Sequence, residues 1–277
     1  MSYTAHPPRT VAPSSISGTS VDSQAFMQAD NYAEMRTLLG IEDLSTLESQ
    51  AVARAKAVCN FAFPPSVWRA DCVSKPGSTG SRWGAAILSA SSTNISDTAG
   101  EYGGSFVMTT SGLSGGQCEW LGVPNGLSVY GSSLMPDLVR AQDKWFMEWD
   151  FKLNSTPDAQ TEFGEGWFAA DASAFGPMIG LRGAQSTAFF RMFIGDSATG
   201  VNSTVAVNTT RNRARMWADG LTPGTIYGSV NGETPISMTG IAFAKGAAPY
   251  GRIKNGTTLA AQNVNLYHSI YVCEGVA

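Results

Sequence analysis

The segment KWFMEWDFKL, residues 144–153, defines the fold better than any other part of the sequence. Its polar residues Glu148, Asp150 and Lys152 alternate with large apolar residues. Because successive side chains of a β-strand point to opposite faces, this period of two predicts a strand with a buried apolar face and a charged outer face. The pattern is typical of an antiparallel sheet that packs on a core through one side.

Segments of the same kind recur throughout the chain after residue 64, and no helix-like pattern lies between them. The predicted strands are 83–90, 104–110, 144–153, 187–195, 203–208, 214–219, 225–230, 236–244, 251–259 and 264–272. Asn-Gly pairs such as Asn231-Gly232 mark hairpin turns between strands. Short strands at this spacing predict a mainly β protein, with an antiparallel sandwich or barrel that covers residues 64–277.

Residues 1–25 differ in composition from the rest of the chain. They contain Pro7, Pro8 and Pro13 among many serines and threonines, which excludes a helix. This composition predicts an extended arm. Because the arm has little apolar surface of its own, we expect it to anchor the protein by docking on a neighbouring chain.

Residues 26–63 contain the long helix-like pattern of the sequence and predict a short helical neck. Two helices are predicted, over about 30–39 and 45–59, and Gly40 ends the first of them. The apolar stripe of this segment is narrow and rich in alanine. We therefore expect it to pack on a face of the sandwich or on symmetry-related copies.

The net charge is −4, and charged residues make up 14% of the chain. An acidic balance of this kind argues against a nucleic-acid partner. The exception is RNRAR, residues 211–215, whose three arginines would share one face of a strand. Such a row can contact phosphate or an acidic sugar, but a solvated strand face or a row of inter-subunit salt bridges is the more common arrangement.

The sequence predicts no membrane span, no signal peptide, no cofactor and no metal site. Its apolar runs stay well below the ~20 residues that a span requires, and residues 1–18 lack an apolar core of the signal-peptide type. The four cysteines, Cys59, Cys72, Cys118 and Cys273, form no C-x-x-C pair. We expect them to be reduced and mostly buried thiols.

Glu148 and Asp150 are candidates for glycan chemistry, because glycoside hydrolysis uses a pair of carboxyl groups. Their segment, EWDFK, resembles the E-x-D-x-E signature of laminarinase-type β-glucanases, and this resemblance implies a concanavalin-like jelly-roll sandwich. Lys152 stands where that signature has its third acid, so the general acid/base of that family is absent. The segment thus predicts no catalytic residue and a protein that is not an enzyme. The alternative interpretation is a charged outer strand face with a Glu–Lys cross-strand interaction.

Trp167 and Tyr250 are the candidate sugar-stacking residues. Both lie in glycine-rich, loop-like segments, EFGEGWFAAD and GAAPYGR, so their rings are expected to be exposed. An exposed aromatic ring can pack on the C–H face of a sugar. With Glu148 and Asp150 they form the predicted carbohydrate-binding set, whereas His268, in the alternating segment NLYHSIYV, is predicted to have only a role on a strand face.

The segment NYAEMRTLLGI, residues 31–41, resembles a short segment common in tailed-bacteriophage fibre and virion proteins. In such proteins it usually lies near the junction of an anchoring part and a distal module. The resemblance implies a structural component of the phage particle, namely a fibre, a spike or a capsid decoration protein. The residues expected to anchor the chain or to form the oligomer are Tyr32, Met35, Leu38, Leu39 and Ile41.

This resemblance also implies partners and a location. The protein would assemble in the host cytoplasm into the virion, as a homotrimer in contact with other capsid or tail proteins. Its sandwich would be displayed outward, towards host surface polysaccharide. The alternative function is a glycan-degrading enzyme on a concanavalin-like scaffold.

Overall fold

The computed structural model describes residues 44–61, 65–70, 94–96, 106–110, 114–121, 144–155, 157, 161–169, 175–182, 188–194, 199–241, 247–256 and 262–273. These residues form one helix and fourteen strands. They are α1 (Leu44–Cys59), β1 (Ser66–Ala70), β2 (Asn94–Ser96), β3 (Phe106–Thr109), β4 (Gln117–Leu121), β5 (Trp145–Leu153), β6 (Glu162–Ala169), β7 (Phe175–Leu181), β8 (Phe189–Ile194), β9 (Gly200–Ala206), β10 (Arg211–Ala218), β11 (Ile226–Val230), β12 (Ile236–Met238), β13 (Ala247–Lys254) and β14 (Asn263–Cys273).

The strands form two antiparallel sheets. The larger has eight strands in the order β12-β11-β10-β5-β14-β3-β2, with β1 also paired to β14, and the smaller has six in the order β4-β13-β6-β7-β8-β9. Consecutive strands such as β4 and β5, or β13 and β14, lie in different sheets, which is the connectivity of a jelly-roll sandwich. The predicted mainly β sandwich with a short helical segment is confirmed, while the predicted arm lies outside the described residues.

Aromatic side chains fill the space between the sheets. Trp145, Trp149 and Phe151 of β5 point inward and are buried. They meet Phe163 and Trp167 of β6, with ring centroids 5.3 Å apart for Trp145–Trp167 and 5.0 Å apart for Phe151–Phe163. Burial of each such ring contributes ~1.5–3 kcal/mol, so the alternation in β5 fixes which of its faces joins the core.

Helix α1 packs on the outer face of the larger sheet. Its buried residues are spaced four apart along the helix and meet a second apolar patch of the sheet. The buried helix residues are Leu47, Ala51, Ala55 and Cys59, and the sheet residues are Phe146, Trp217, Ile270 and Val272. Alanine allows the helix to approach the sheet closely, which explains the narrow stripe. The predicted helix over 45–59 is confirmed, and the one predicted over 30–39 lies outside the described residues.

Five strands of the structure were not predicted, namely β1, β2, β4, β6 and β7, and the sequences of β6 and β7 are rich in glycine. The segment interpreted as a loop around Trp167 is β6, a central strand of the smaller sheet, paired with β7 and β13. Gly164 of β6 lies under the ring of Phe193, where a Cβ atom would be 3.1 Å from the ring carbon Cζ. Glycine has a low strand propensity by itself, but here it makes room for a neighbouring ring, so packing overrides propensity.

The thiols of Cys59, Cys118 and Cys273 are reduced, as predicted, and Cys72 lies outside the described residues. Burial raises the pKa of Cys118 to about 12, so its thiol stays protonated. In the described residues, α1 is too short and too polar to cross a membrane.

Candidate functional site

Three neighbouring strands of the larger sheet bring together segments that are far apart in the sequence. In β10 and β5, Arg215 pairs with Glu148 and Arg213 with Asp150. On the other side of β5, His268 of β14 pairs with Asp150. These residues therefore share the outer face of the larger sheet, beside helix α1. Together with Arg54 and Arg211 they are called the arginine–carboxylate cluster below.

A β-bulge at Tyr267 decides that His268 belongs to the cluster. Before the bulge, Asn265 pairs with Lys152 on the outer face, and after it His268 pairs with Asp150 on that same face. Strict alternation from Asn265 would have turned His268 inward, because side chains two apart share a face. The inserted residue, Tyr267, lies beneath Arg211, with the guanidinium carbon 4.4 Å from the ring centroid.

Asp150 is held by two arginines. Arg213 donates from Nε to Oδ1 at 2.6 Å and from Nη2 to Oδ2 at 2.8 Å, which is a bidentate ion pair. Arg211 donates from Nε to Oδ2 at 3.1 Å. Burial raises the pKa of Asp150, but the hydrogen bond from Arg213 and the charges around the carboxylate outweigh it, so the pKa is lowered.

Glu148 is held by one arginine of β10 and one arginine of helix α1. Arg215 donates from Nε to Oε2 at 2.7 Å, and Arg54 of α1 donates from Nη2 to Oε1 at 2.5 Å. His268 Nε2 lies 4.0 Å from Oε1, longer than an ordinary hydrogen bond. Burial raises the pKa of Glu148, but His268, Arg54 and Arg215 together lower it to about 2.

The charges of the cluster are arranged in two layers. The side chains of Glu148 and Asp150 are 0% and 3% exposed. The guanidinium side chains above them are 26% exposed in Arg213 and 44% in Arg211. Four arginine side chains cover two carboxylates, so the solvent-exposed layer of the cluster is cationic, although the chain as a whole is acidic.

This arrangement is suited to binding an anion rather than to donating a proton. A carboxyl group with a pKa near 2 is ionised at neutral pH and cannot serve as a general acid there. Both oxygens of Glu148 and of Asp150 accept hydrogen bonds from arginines, which fix the guanidinium planes. Guanidinium groups fixed in this way can bind a carboxylate or a similar oxyanion at the surface.

The predicted exposure of Trp167 and Tyr250 was wrong. Trp167 is 0% exposed and lies in the core, with its ring centroid 5.0 Å from that of Tyr271. Tyr250 is 1% exposed, and its hydroxyl donates to Glu119 Oε1 at 2.5 Å. Both rings are covered because β6 and β13 are neighbouring strands inside the smaller sheet. Neither presents a free ring face to a sugar.

Of the predicted binding set, the structure brings together Glu148 and Asp150 and surrounds them with arginines. The sequence did not indicate that Arg54 of the helix belongs to the cluster, or that the bulge places Tyr267 beside it. The predicted anchoring residues lie outside the described residues. They are Tyr32, Met35, Leu38, Leu39 and Ile41.

A further buried carboxyl group lies between the sheets. Glu165 of β6 is 0% exposed, and its Oε1 accepts a hydrogen bond from Tyr271 Oη at 3.0 Å. Burial raises the pKa of Glu165 well above its ordinary value and outweighs the opposite influence of Ser269 and of the hydrogen bond from Tyr271. This group lies in the core and does not belong to the outer cluster. Within the described ranges, no group of three or more His, Cys, Asp or Glu residues is placed to hold a metal ion.

Comparison with known proteins shows similarity at the level of the fold. The sequence matches no protein-family model and no curated protein. Among solved structures, a protein of unknown function from Shewanella oneidensis MR-1 is similar with a TM-score of 0.50 and 12% identity, over 82% of this chain and 93% of that one.

Two further similar structures are proteins that act on glycans. An endo-β-1,4-glucuronan lyase from the fungus Trichoderma reesei has a TM-score of 0.48 and 10% identity, over 75% of this chain and 95% of that one. A carbohydrate esterase from the Shiga toxin-encoding bacteriophage phi24B has a TM-score of 0.45 and 14% identity, over 76% of this chain and 100% of that one.

These findings correct one expectation. The sequence predicted that the protein is not an enzyme, and this is contradicted, because a glycan lyase and a carbohydrate esterase are among the proteins with a similar β-sandwich. Lys152 stands where the E-x-D-x-E signature has its third acid, and this excludes only the catalytic residues of that signature. At these identities the likeness shows the fold alone.

Proposed function

We propose that the sandwich binds surface polysaccharide of a bacterial host as part of a bacteriophage particle, and that it does so through the arginine–carboxylate cluster. The observation that carries the proposal is the cationic layer over two buried carboxylates. A net positive surface built on an acidic chain favours a ligand with negative charge.

The shape of the cluster suits a polymer. Arg211, Arg213 and Arg215 lie at alternate positions of β10, and alternate residues of a strand are ~6.8 Å apart. The row is therefore ~14 Å long, which exceeds the length of a single sugar ring. Each member bonds to a buried carboxylate, so little side-chain entropy is lost when a ligand binds.

The phage part of the proposal rests on the resemblance of residues 31–41 to virion proteins. In this proposal the N-terminal part anchors the chain to other capsid or tail proteins, and copies of the chain associate as a homotrimer. Helix α1 uses its apolar stripe on its own sandwich, so the trimer contacts would come from other surfaces. Light scattering of the purified protein should give the mass of a trimer, and a monomer at micromolar concentration would refute this part.

Degradation of the bound glycan at the same face is the second candidate function. The observation that favours it is the position of Tyr267, a phenol that lies against Arg211 at the edge of the cluster. A phenol beside a cation can take part in proton transfer. Release of soluble sugar by the wild type, and its loss in Tyr267→Phe with binding retained, would support this function.

The binding experiment uses immobilised capsular polysaccharide and lipopolysaccharide from several bacteria. Arg213→Gln and Arg215→Gln should each weaken binding about tenfold, since a charge-assisted hydrogen bond contributes ~1.5 kcal/mol. Lys56→Gln is the control, because it removes one positive charge from an exposed position of α1. Equal affinity of all three variants, or no binding of the wild type to any glycan, would refute the proposal.

A further inference from the structure

We propose that Glu165 is a proton-dependent latch between the two sheets. As a neutral acid it bonds to Tyr271 of the opposite sheet, and its ionisation would place a negative charge in the core and loosen the sandwich. The proposal goes beyond glycan binding, because this pair lies between the sheets, whereas the arginine–carboxylate cluster lies on the outer face of the larger sheet. Three features support it: the position of the pair, the surroundings of the two carboxyl oxygens, and the placement of charges on the neighbouring strands.

The pair joins one strand of each sheet. Glu165 lies on β6 of the smaller sheet, on the same face as the core residues Phe163 and Trp167. Tyr271 lies on β14 of the larger sheet, and its hydroxyl oxygen is 3.0 Å from Glu165 Oε1 and 3.1 Å from the backbone oxygen of Gly166. Both side chains are 0% exposed. The hydroxyl of Tyr271 therefore connects the sheets away from solvent.

The two oxygens of Glu165 have unequal surroundings. Oε1 accepts a hydrogen bond from Tyr271, whereas Oε2 is buried and has no hydrogen-bond partner among the described residues. An ionised carboxylate in this position would lose its hydration without replacement, which is strongly unfavourable. A neutral carboxyl group carries a hydrogen on one oxygen and needs a donor only at the other. The geometry therefore fits a neutral acid with its hydrogen on Oε2.

The arginine–carboxylate cluster provides the contrast. Glu148 is also 0% exposed, but each of its oxygens accepts a hydrogen bond from an arginine. Those two cations keep the pKa of Glu148 low, whereas burial raises the pKa of Glu165 well above its ordinary value. Two equally buried carboxyl groups thus differ in protonation because only one of them has cationic donors.

The core around Glu165 offers it no positive charge. Its direct neighbours in the register are Gly251 of β13 and Ile179 of β7, and the core residues of β5 are apolar. The titratable side chains that face the core on β4 and β14 are Cys118, Tyr271 and Cys273. A thiol or a phenol can only become negative, so within the described residues nothing in the core would balance an ionised Glu165.

Charged groups of the same strands lie on the outer faces. The titratable residues on the outer face of β4, β6 and β13 are Glu119, Glu162, Tyr250, Arg252 and Lys254. Arg252 forms an ion pair with Glu162 on that face. On β14, His268 belongs to the cluster on the outer face of the larger sheet. The backbone of a sheet therefore separates Glu165 from these groups.

Infrared difference spectroscopy tests the protonation of Glu165. Ordinary carboxyl groups are ionised at pH 7, so the spectrum of the wild type minus that of Glu165→Gln should show the carbonyl stretch of one protonated carboxyl group. Glu148→Gln is the matched control, because it replaces an equally buried carboxyl group that is held by arginines, and it should leave this band in place. Tyr271→Phe removes the hydrogen bond to Oε1 and should shift the band.

Urea denaturation tests the latch. Above about pH 5 the unfolded chain releases the proton that the folded protein retains. The unfolding equilibrium constant of the wild type, relative to that of Glu165→Gln, should therefore rise about tenfold for each pH unit. This rise ends at the pH at which the folded protein releases the proton as well.

Each result decides the proposal without reference to glycan binding. A wild type without a protonated-carboxyl band at pH 7, or a band that is lost in Glu148→Gln, would overturn the neutral acid. A ratio of unfolding constants that stays the same from pH 5 to 7 would overturn the latch. If Glu165→Gln does not fold, the band of the wild type and its shift in Tyr271→Phe still test the proposal, and an unshifted band would overturn the contact between the sheets.

Discussion

Replacement of Glu148 by glutamine tests whether the cluster stabilises the fold through an ionised, buried carboxylate. The side chain is 0% exposed and contacts Arg54 of α1 and Arg215 of β10. Glutamine keeps the shape of the side chain and removes the charge. The expected result is a large loss of stability at neutral pH that disappears in acid.

The magnitude follows from the pKa of Glu148, which is lowered from 4.5 to about 2 in the folded protein. Each pKa unit corresponds to ~1.4 kcal/mol, so ionisation of Glu148 contributes ~3 kcal/mol to the free energy of unfolding. Because the folded pKa lies below the unfolded one, this contribution is complete above about pH 4.5. It is lost as the pH falls towards about 2.

The assay is urea denaturation followed by tryptophan fluorescence, at several pH values from 7 down to 3. Glu148→Gln should lower the free energy of unfolding by ~3 kcal/mol at pH 7, and the difference from wild type should shrink below pH 4.5. Glu48→Gln on α1 serves as the control, with an expected change within ~0.5 kcal/mol. A difference below ~1 kcal/mol at pH 7, or one that does not change with pH, would show that the carboxylate is not stabilised by its arginines.

Three further results are expected. Arg54→Met and Glu148→Gln, combined in a double-mutant cycle, should show a coupling free energy of ~1 kcal/mol by urea denaturation, and additive effects would mean that the ion pair does not hold α1 to the sheet. Glu165→Gln should raise the melting temperature at pH 7. The pKa of the buried carboxyl is raised in the folded protein, so the wild type loses stability as the pH rises above 4.5, where the unfolded chain ionises, whereas glutamine does not titrate. A gain that is the same at pH 4.5 would contradict this origin. Gly164→Ala should lower the free energy of unfolding by ~1–3 kcal/mol, since its Cβ would lie 3.1 Å from the ring of Phe193, and an unchanged stability would show that this ring can move aside.

The sequence by itself determined those features that depend on local chain geometry. The alternation of polar and apolar residues over 145–153 predicts a strand and identifies the side chains that enter the core. Successive side chains of an extended backbone point to opposite faces, so this pattern is a local property. The recurrence of apolar residues such as Leu44, Leu47 and Val52 at helical spacing specifies the helix and its narrow, alanine-rich face in the same way. These predictions are confirmed because they need no knowledge of the neighbouring strands.

Strand segments rich in glycine could not be recognised in this way. Trp167 and Tyr250 were expected on exposed loops, whereas they lie on paired strands of the smaller sheet. Glycine gives no alternation of polar and apolar side chains, so β6 has no clear period. Its strand conformation depends on pairing with β7 and β13, and this pairing is a long-range property.

Only the tertiary structure decided the composition of the candidate site. Glu148, Arg213 and His268 lie in three distant segments that become adjacent through the strand order β10-β5-β14. The bulge at Tyr267 changes which side chains of β14 face outward, and helix α1 adds Arg54 from a still earlier part of the chain. Strand order, bulges and helix docking follow from the packing of the whole sandwich, so no periodicity within one segment encodes them.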